Sequence, residues 1–314
     1  MRQRPLGKTG LRTSEMAIGT WGLSGDAYGP VDEGTQERVL RCALEMGFTL
    51  VETADAYGAG RMERLVGRLV ADYPEVVVVT KGGTDRTTVP ARKRFDAPYL
   101  RESVERSLRR LGTRRIDVYL LHNPSESAIE LGEAFDALRQ LKQEGKIGYW
   151  GVSAGGPPVG RAALRRGAEV IELAYNLLHP FEVHRLAGEI IVGGAGLLAR
   201  STLAHGLLAG AWPRDRAFAS GDHRADRWNK PEFERRVEQV DSFRFLVRGD
   251  VETLRAAAVR FVLANSIVSS AVLGPRTVEQ LEELVREVGM GPMYLRDADL
   301  AQIPRLLEQM GMET

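Results

Sequence analysis

The sequence predicts an α/β fold: eight parallel strands closed into a (β/α)8 TIM barrel, with a hairpin before the first strand and long loops on one face. Two observations predict it. Short apolar runs rich in β-branched residues alternate with amphipathic helical segments, which is the pattern of a parallel sheet covered by helices. These runs also number eight. A third observation locates the working face. Three successive runs carry a titratable side chain at or just beyond the C-terminal edge: Glu52 with Tyr57, then Lys81, then His122. In a parallel barrel those edges converge on the face where active sites are built.

In chain order, residues 4–20 with Gly7-Lys8-Thr9-Gly10 read as a hairpin with a glycine-bearing turn. It leads into Met16–Gly22 as the first barrel strand. The other strand runs are 49–51, 76–80, 116–121, 147–152, 170–174, 196–200 and 267–273. Between them, apolar residues recur at three-four spacing. Val39, Ala43 and Met46 share one face, and Met62, Leu65, Val66 and Leu69 another. The same spacing recurs in Leu100, Val104, Leu108 and Leu111, in Leu131, Ala134, Phe135, Leu138 and Leu141, and in Val278, Leu281, Leu284 and Val288. No linker, low-complexity tract or repeat divides the chain, so residues 1–314 read as one domain. Two segments interrupt the rhythm. Residues 83–97 are polar and basic; residues 211–250 contain Trp212, Phe218, Trp228, Phe233, Phe243 and Phe245. Loops this long are commonly lids or binding loops; the alternative is that the aromatics pack a surface helix.

Composition excludes several functional classes. Hydrophobic residues are 43% and charged residues 27%, as in a globular protein with a large core. Lys plus Arg is 43 against 42 for Asp plus Glu, so the balance gives no argument for nucleic acid. The clusters Arg92-Lys93-Arg94 and Arg109-Arg110 read as solvated surface. Cys42 is the single cysteine, which excludes an internal disulfide and a multi-cysteine metal site; it reads as a small buried hydrophobe. No metal is expected. Met1-Arg2-Gln3-Arg4-Pro5 has no apolar leader core, and no run approaches about 18 apolar residues. The expectation is a cytoplasmic protein with no membrane partner.

The four titratable residues suit proton transfer to a carbonyl oxygen. A phenol beside an ammonium can act as a general acid, the cation favouring the phenolate. A buried lysine needs a carboxylate to stay charged, and Glu52 can supply it. His122 can orient a substrate oxygen. No side chain is an evident nucleophile, so a hydride from a cofactor is the natural reactant. A Rossmann fingerprint fails: the nearest candidate, Gly58-Ala59-Gly60-Arg61-Met62-Glu63, ends in glutamate.

These residues resemble the aldo-keto reductase superfamily over nearly the whole chain. Arg4-Pro5-Leu6-Gly7-Lys8-Thr9-Gly10-Leu11 resembles its N-terminal hairpin and Gly19-Thr20-Trp21 its first-strand motif. Glu52-Thr53-Ala54-Asp55-Ala56-Tyr57-Gly58 resembles its tyrosine signature and Asp117 through Pro124 its histidine motif. Gly145-Lys146-Ile147 through Gly151-Val152-Ser153 resembles its fifth-strand signature. The resemblance implies a barrel capped at its bottom by the hairpin, and reduction of an aldehyde or ketone with NADPH. Tyr57 would be the general acid, Lys81 its pKa-lowering partner and His122 the orienting donor. Gly19, Thr20 and Trp21 would line the cofactor cleft, and Ser153 and Glu172 would meet the carboxamide. The pyrophosphate would lie along Arg200-Ser201-Thr202-Leu203-Ala204-His205-Gly206-Leu207-Leu208. The adenosine end would meet Gly274, Arg276, Gln280 and Glu283, with Arg276 suited to a 2′-phosphate.

Three positions depart from the family pattern. Glu52 stands where the signature has aspartate, Glu172 where glutamine is usual, and Ala154 where asparagine is usual. An ionised glutamate accepts from an amide but cannot donate, which implies weaker or altered cofactor binding. The rival readings are altered redox chemistry on a pathway intermediate, and a cofactor-binding regulatory subunit with little turnover.

Overall fold

Period-two alternation within each strand decides which side chains enter the lumen. The computed structural model describes residues 1–289 and 294–312. Its barrel strands are β1 (Met16–Gly19), β2 (Leu50–Glu52), β3 (Val77–Gly82), β4 (Ile116–His122), β5 (Ile147–Ser153), β6 (Val170–Ala174), β7 (Gly196–Arg200) and β8 (Val268–Leu273). All neighbours pair in parallel, β8 pairs back to β1, and the barrel is closed. Ala17, Leu50, Val77, Val79, Val118, Leu120, Val170 and Leu198 pack together as the interior, joined by Leu6 of the hairpin. One more step of two along these strands reaches Gly19, Glu52, Lys81, His122, Glu172 and Arg200. The uppermost interior layer is therefore polar.

The opposite strand faces pack against helices α1 (Glu33–Glu45), α2 (Arg61–Val70), α3 (Ala97–Leu111), α4 (Glu133–Gln143), α5 (Pro157–Arg165), α6 (Phe181–Gly193), α7 (Leu254–Ala264) and α8 (Val278–Val288). Local signals start them. The Asp32 and Asp96 carboxylates accept from the backbone N–H of Thr35 and Tyr99, and the Thr277 hydroxyl accepts from Gln280. Three of the eight helices escaped the sequence reading. Two, α5 and α6, are interrupted by glycine; the third, α7, is buried on nearly every side, so it has no polar face to reveal its period. Leu131 corrects another expectation: α4 begins at Glu133, and Leu131 is 87% exposed in the preceding turn.

The hairpin, Gln3–Pro5 paired with Arg12–Ser14, closes the bottom of the barrel. Its approach requires glycine. Gly7 has φ of +55°, and a Cβ there would lie 2.3 Å from the Gly196 nitrogen. The Lys8 N–H donates to the Gly194 carbonyl at 2.8 Å. Buried Arg4 donates to Glu15, to Tyr294 and to the carbonyls of Leu263, Asn265 and Val268. Cys42 is half-buried on α1 rather than fully enclosed. Among the described residues no helix is long and apolar enough to cross a membrane.

Candidate active site

Strand register builds the mouth of the barrel. Gly19 lies beside Glu52, and Ser153 lies beside both His122 and Glu172. Lys81, 2% exposed, projects from β3 into the lumen and ion-pairs with Glu52. It also reaches across the lumen to Glu172, with Nζ 3.3 Å from one carboxylate oxygen and 3.5 Å from the other. The longer Glu52 side chain fits because Gly19 offers no side chain; a Cβ there would sit 3.0 Å from Glu52 Oε2. Asp55 takes no part in this pairing. Its carboxylate accepts from Ser103, and burial together with Glu63 pushes it up to about 7.

Tyr57 follows β2 in a tight turn, with Gly58 and Ala59 both at positive φ. The Lys81 ammonium lies 5.3 Å from the centre of the Tyr57 ring, and the His122 ring meets that ring edge-on at 5.8 Å. The phenol moves opposite to the sequence expectation. Burial, then the Glu172 carboxylate, push it well above the ordinary tyrosine value. Burial lowers Lys81, and Glu172 pulls it back up. His122 is held well below its usual value by burial, then by Lys81, Lys93 and Arg200. The site therefore holds a protonated phenol and a neutral imidazole at neutral pH.

The remaining positions expected at the cofactor cleft lie around the same mouth. Thr20 is buried, its hydroxyl donating to Thr53 at 2.9 Å. Ser153 is 2% exposed. Arg200 donates to the Ala154 carbonyl at 3.0 Å and to Ser201 at 3.4 Å. Leu203 and Gly206 belong to the loop after β7, and Leu208 is buried beneath it. Arg276 donates to the carbonyls of Tyr28, Gly29 and Pro30, and its own N–H donates to Gln280. Gly274 is exposed beside it, while Glu283 pairs with Arg255 at 3.1 Å.

Two independent features single out this rim. Among the described residues, every non-glycine at positive φ lies in a loop at this face: Ala59, Asn123, Ser201, Ala204 and His205. Such strain concentrates at functional sites. His122 Nδ1 and Arg200 Nε are buried without hydrogen-bond partners, and Glu172 Oε2 meets only the Lys81 ammonium, at 3.3 Å. Donors and acceptors left short along one rim fit a ligand with an amide at one end and a charged phosphate further on. Among the described residues no His, Cys, Asp and Glu cluster could hold a metal ion.

Sequence reasoning missed several contributors. Lys93, read as solvated surface, donates to the His122 carbonyl at 2.7 Å, and Arg110 pairs with fully buried Glu63. Asn176 ties the β7 loop through the Ser201 carbonyl at 2.9 Å. The 211–250 insertion packs its aromatics on a surface helix, the alternative considered for it. Phe233, on a helix at Lys230–Asp241, gathers Trp212, Phe218 and Trp228. Asp222 and His223 meanwhile cross to the loop after β1. There Asp222 bridges to Tyr28, the His223 N–H donates to the Ala27 carbonyl, and the His223 ring lies 4.9 Å from Trp21. The signal for this strap was the density of aromatics in a loop, but its direction lay outside the sequence.

A model of the Aldo/keto reductase family matches residues 15–306. The chain is similar to the aldo-keto reductase YhdN of Bacillus subtilis, 28% identical over 98% of this chain and 94% of the relative. It is also similar to an NADH-specific methylglyoxal reductase of Escherichia coli, 29% identical over 98% and 99%. The solved structure of the glycerol dehydrogenase AKR11B4 from Gluconobacter oxydans superimposes with a TM-score of 0.84 at 28% identity, covering 98% of this chain and 95% of that one.

Proposed function

The chain belongs to the aldo/keto reductase family, oxidoreductases of aldehydes and ketones, and from that premise we propose that it reduces small carbonyl compounds to alcohols using NADPH. The observation that carries this reading is the meeting of Tyr57, Lys81, Glu52 and His122 at one mouth, with the ammonium seated between two carboxylates. Tyr57 keeps its proton at neutral pH and so has one to give to a carbonyl oxygen. Neutral His122 can donate a hydrogen bond to the same oxygen and fix the substrate's approach. Lys81, lowered by burial and pulled back up by Glu172, would in its charged form steady the phenolate left after proton transfer.

When bound, the nicotinamide supplies a hydride to the carbonyl carbon. Ser153 and Glu172 would hold its carboxamide, and Arg200 with the Ser201–Leu208 loop its pyrophosphate. Gly274, Arg276, Gln280 and Glu283 would take the adenosine end. Arg276 supports the choice of NADPH. A guanidinium binds phosphate in two-pronged fashion, and here its terminal nitrogens would have to exchange the carbonyls of Tyr28, Gly29 and Pro30 for the phosphate. The test compares oxidation of NADPH and of NADH with a panel of small aldehydes. Turnover faster with NADPH supports the reading in full. Turnover faster with NADH removes the assigned role of Arg276, and tight binding of both without turnover favours a regulatory subunit.

A further inference from the structure

Within the ion-paired trio at the mouth, carboxylates outnumber ammonium. Glu52 is 3% exposed, Glu172 is fully buried, and the single ammonium of Lys81 lies between them. Fully ionised, the trio carries one net negative charge. Among the described residues no other cation ion-pairs with either carboxylate, although the field of Arg200 reaches Tyr57 and Lys81. Arg200 donates to the Ala154 carbonyl and sits on the rim where the pyrophosphate is placed, and exposed Lys93 donates to the His122 carbonyl and to Thr84. Among the described residues the Lys81 ammonium, 3.3 and 3.5 Å from its two oxygens, is the one partner that spreads the Glu172 charge. An uncompensated buried charge is costly unless something of opposite sign shares its cavity.

We propose that Glu172 makes the floor of this site anionic and so biases it toward the oxidised form of the cofactor. The proposal rests on the nicotinamide reading above. The oxidised ring carries a positive charge that the reduced ring lacks, and an amide at position 172 would treat the two forms alike. A carboxylate there does not. The bias also has a catalytic consequence by linkage: whatever tightens the oxidised form relative to the reduced one makes the bound reduced form an equally stronger hydride donor. Glu172 is thus a positioning and tuning residue, acting through the field in the cavity rather than by touching the carbonyl. It opposes Tyr57 in one respect, since the same negative charge disfavours a phenolate. The ammonium shared with Glu52 offsets that opposition.

The experiment titrates intrinsic tryptophan fluorescence with NADP+ and with NADPH, in the wild type and in Glu172→Gln and Glu172→Asp. The readout is the ratio of the two dissociation constants. Glu172→Gln is expected to move the ratio toward NADPH by about tenfold, the scale on which a nearby charge shifts such equilibria, while Glu172→Asp keeps the wild-type bias. An unchanged ratio in folded Glu172→Gln overturns the proposal and leaves the cofactor reading standing. Failure of the wild type to bind either form overturns both. Should Glu172→Gln not fold, Glu52→Gln removes the same unit of charge from the trio and must move the ratio in the same direction; no movement there overturns the proposal.

Discussion

The two ends of the barrel each bury a basic side chain among carboxylates, and they treat it differently. At the closed end Arg4 uses its guanidinium fully, donating to Glu15, Tyr294 and three backbone carbonyls. At the open end Arg200 reaches two partners and leaves Nε unpaired, and Lys81 is outnumbered by Glu52 and Glu172. A saturated arginine ties the hairpin to the barrel. An unsaturated rim leaves hydrogen-bonding capacity for a ligand, and unpaired buried polar groups cost stability that only a ligand recovers.

This comparison is broken or sharpened by substitutions at each end. The largest effect is expected at Tyr57. Tyr57→Phe should lower kcat/KM on an aldehyde by about 100- to 10,000-fold, with the denaturant midpoint nearly unmoved; a comparable loss of stability would contradict the division. Arg4→Met should do the reverse. It strands Glu15 in the interior, so unfolding in urea should show a loss of about 3–5 kcal/mol, while turnover per folded molecule at 25 °C persists.

Asp55 sharpens the picture through pH. Its folded value lies near 7, above its ordinary value, so the folded state holds a proton that the unfolded chain releases first. Its contribution is complete below the unfolded value and is lost as pH rises through 7. Asp55→Asn lacks this dependence. Relative to the wild type it should gain about 1–3 kcal/mol between pH 4 and pH 8, seen as diverging melting temperatures; parallel curves would contradict burial as the cause. The smallest effect belongs to Arg200→Lys. Losing the planar fork should weaken NADPH binding roughly several-fold while stability stays within about 0.5 kcal/mol, measured by titration and urea melts.

Much of the molecule was legible in order and little of it in depth. The four titratable residues proposed for catalysis and the eight strand runs follow from local pattern, because alternation and a titratable residue at a strand edge are properties of a few consecutive positions. The direction of the Tyr57 shift was misjudged for the converse reason. A cation nearby can be read from a motif, but burial depends on everything packed around the ring, and burial is the larger effect here. Lys93 is exposed, as its basic neighbours suggested, but its reach to the His122 carbonyl was hidden because it depends on a short hairpin, Thr84–Asp85 with Arg92–Lys93.

By itself the sequence determined the number of strands, the parity that sends Glu52, Lys81, His122, Glu172 and Arg200 to the same side, and the family they belong to. Only the tertiary structure decided that Lys81 and Glu172, 91 positions apart and on strands that do not pair, share one ion pair across the lumen. It decided too that the strap from the β7 side meets Trp21 and Tyr28. Parity is a local consequence of the pleat. Which side chains meet across a closed barrel depends on how all eight strands stagger and tilt together, and no short stretch of chain encodes that.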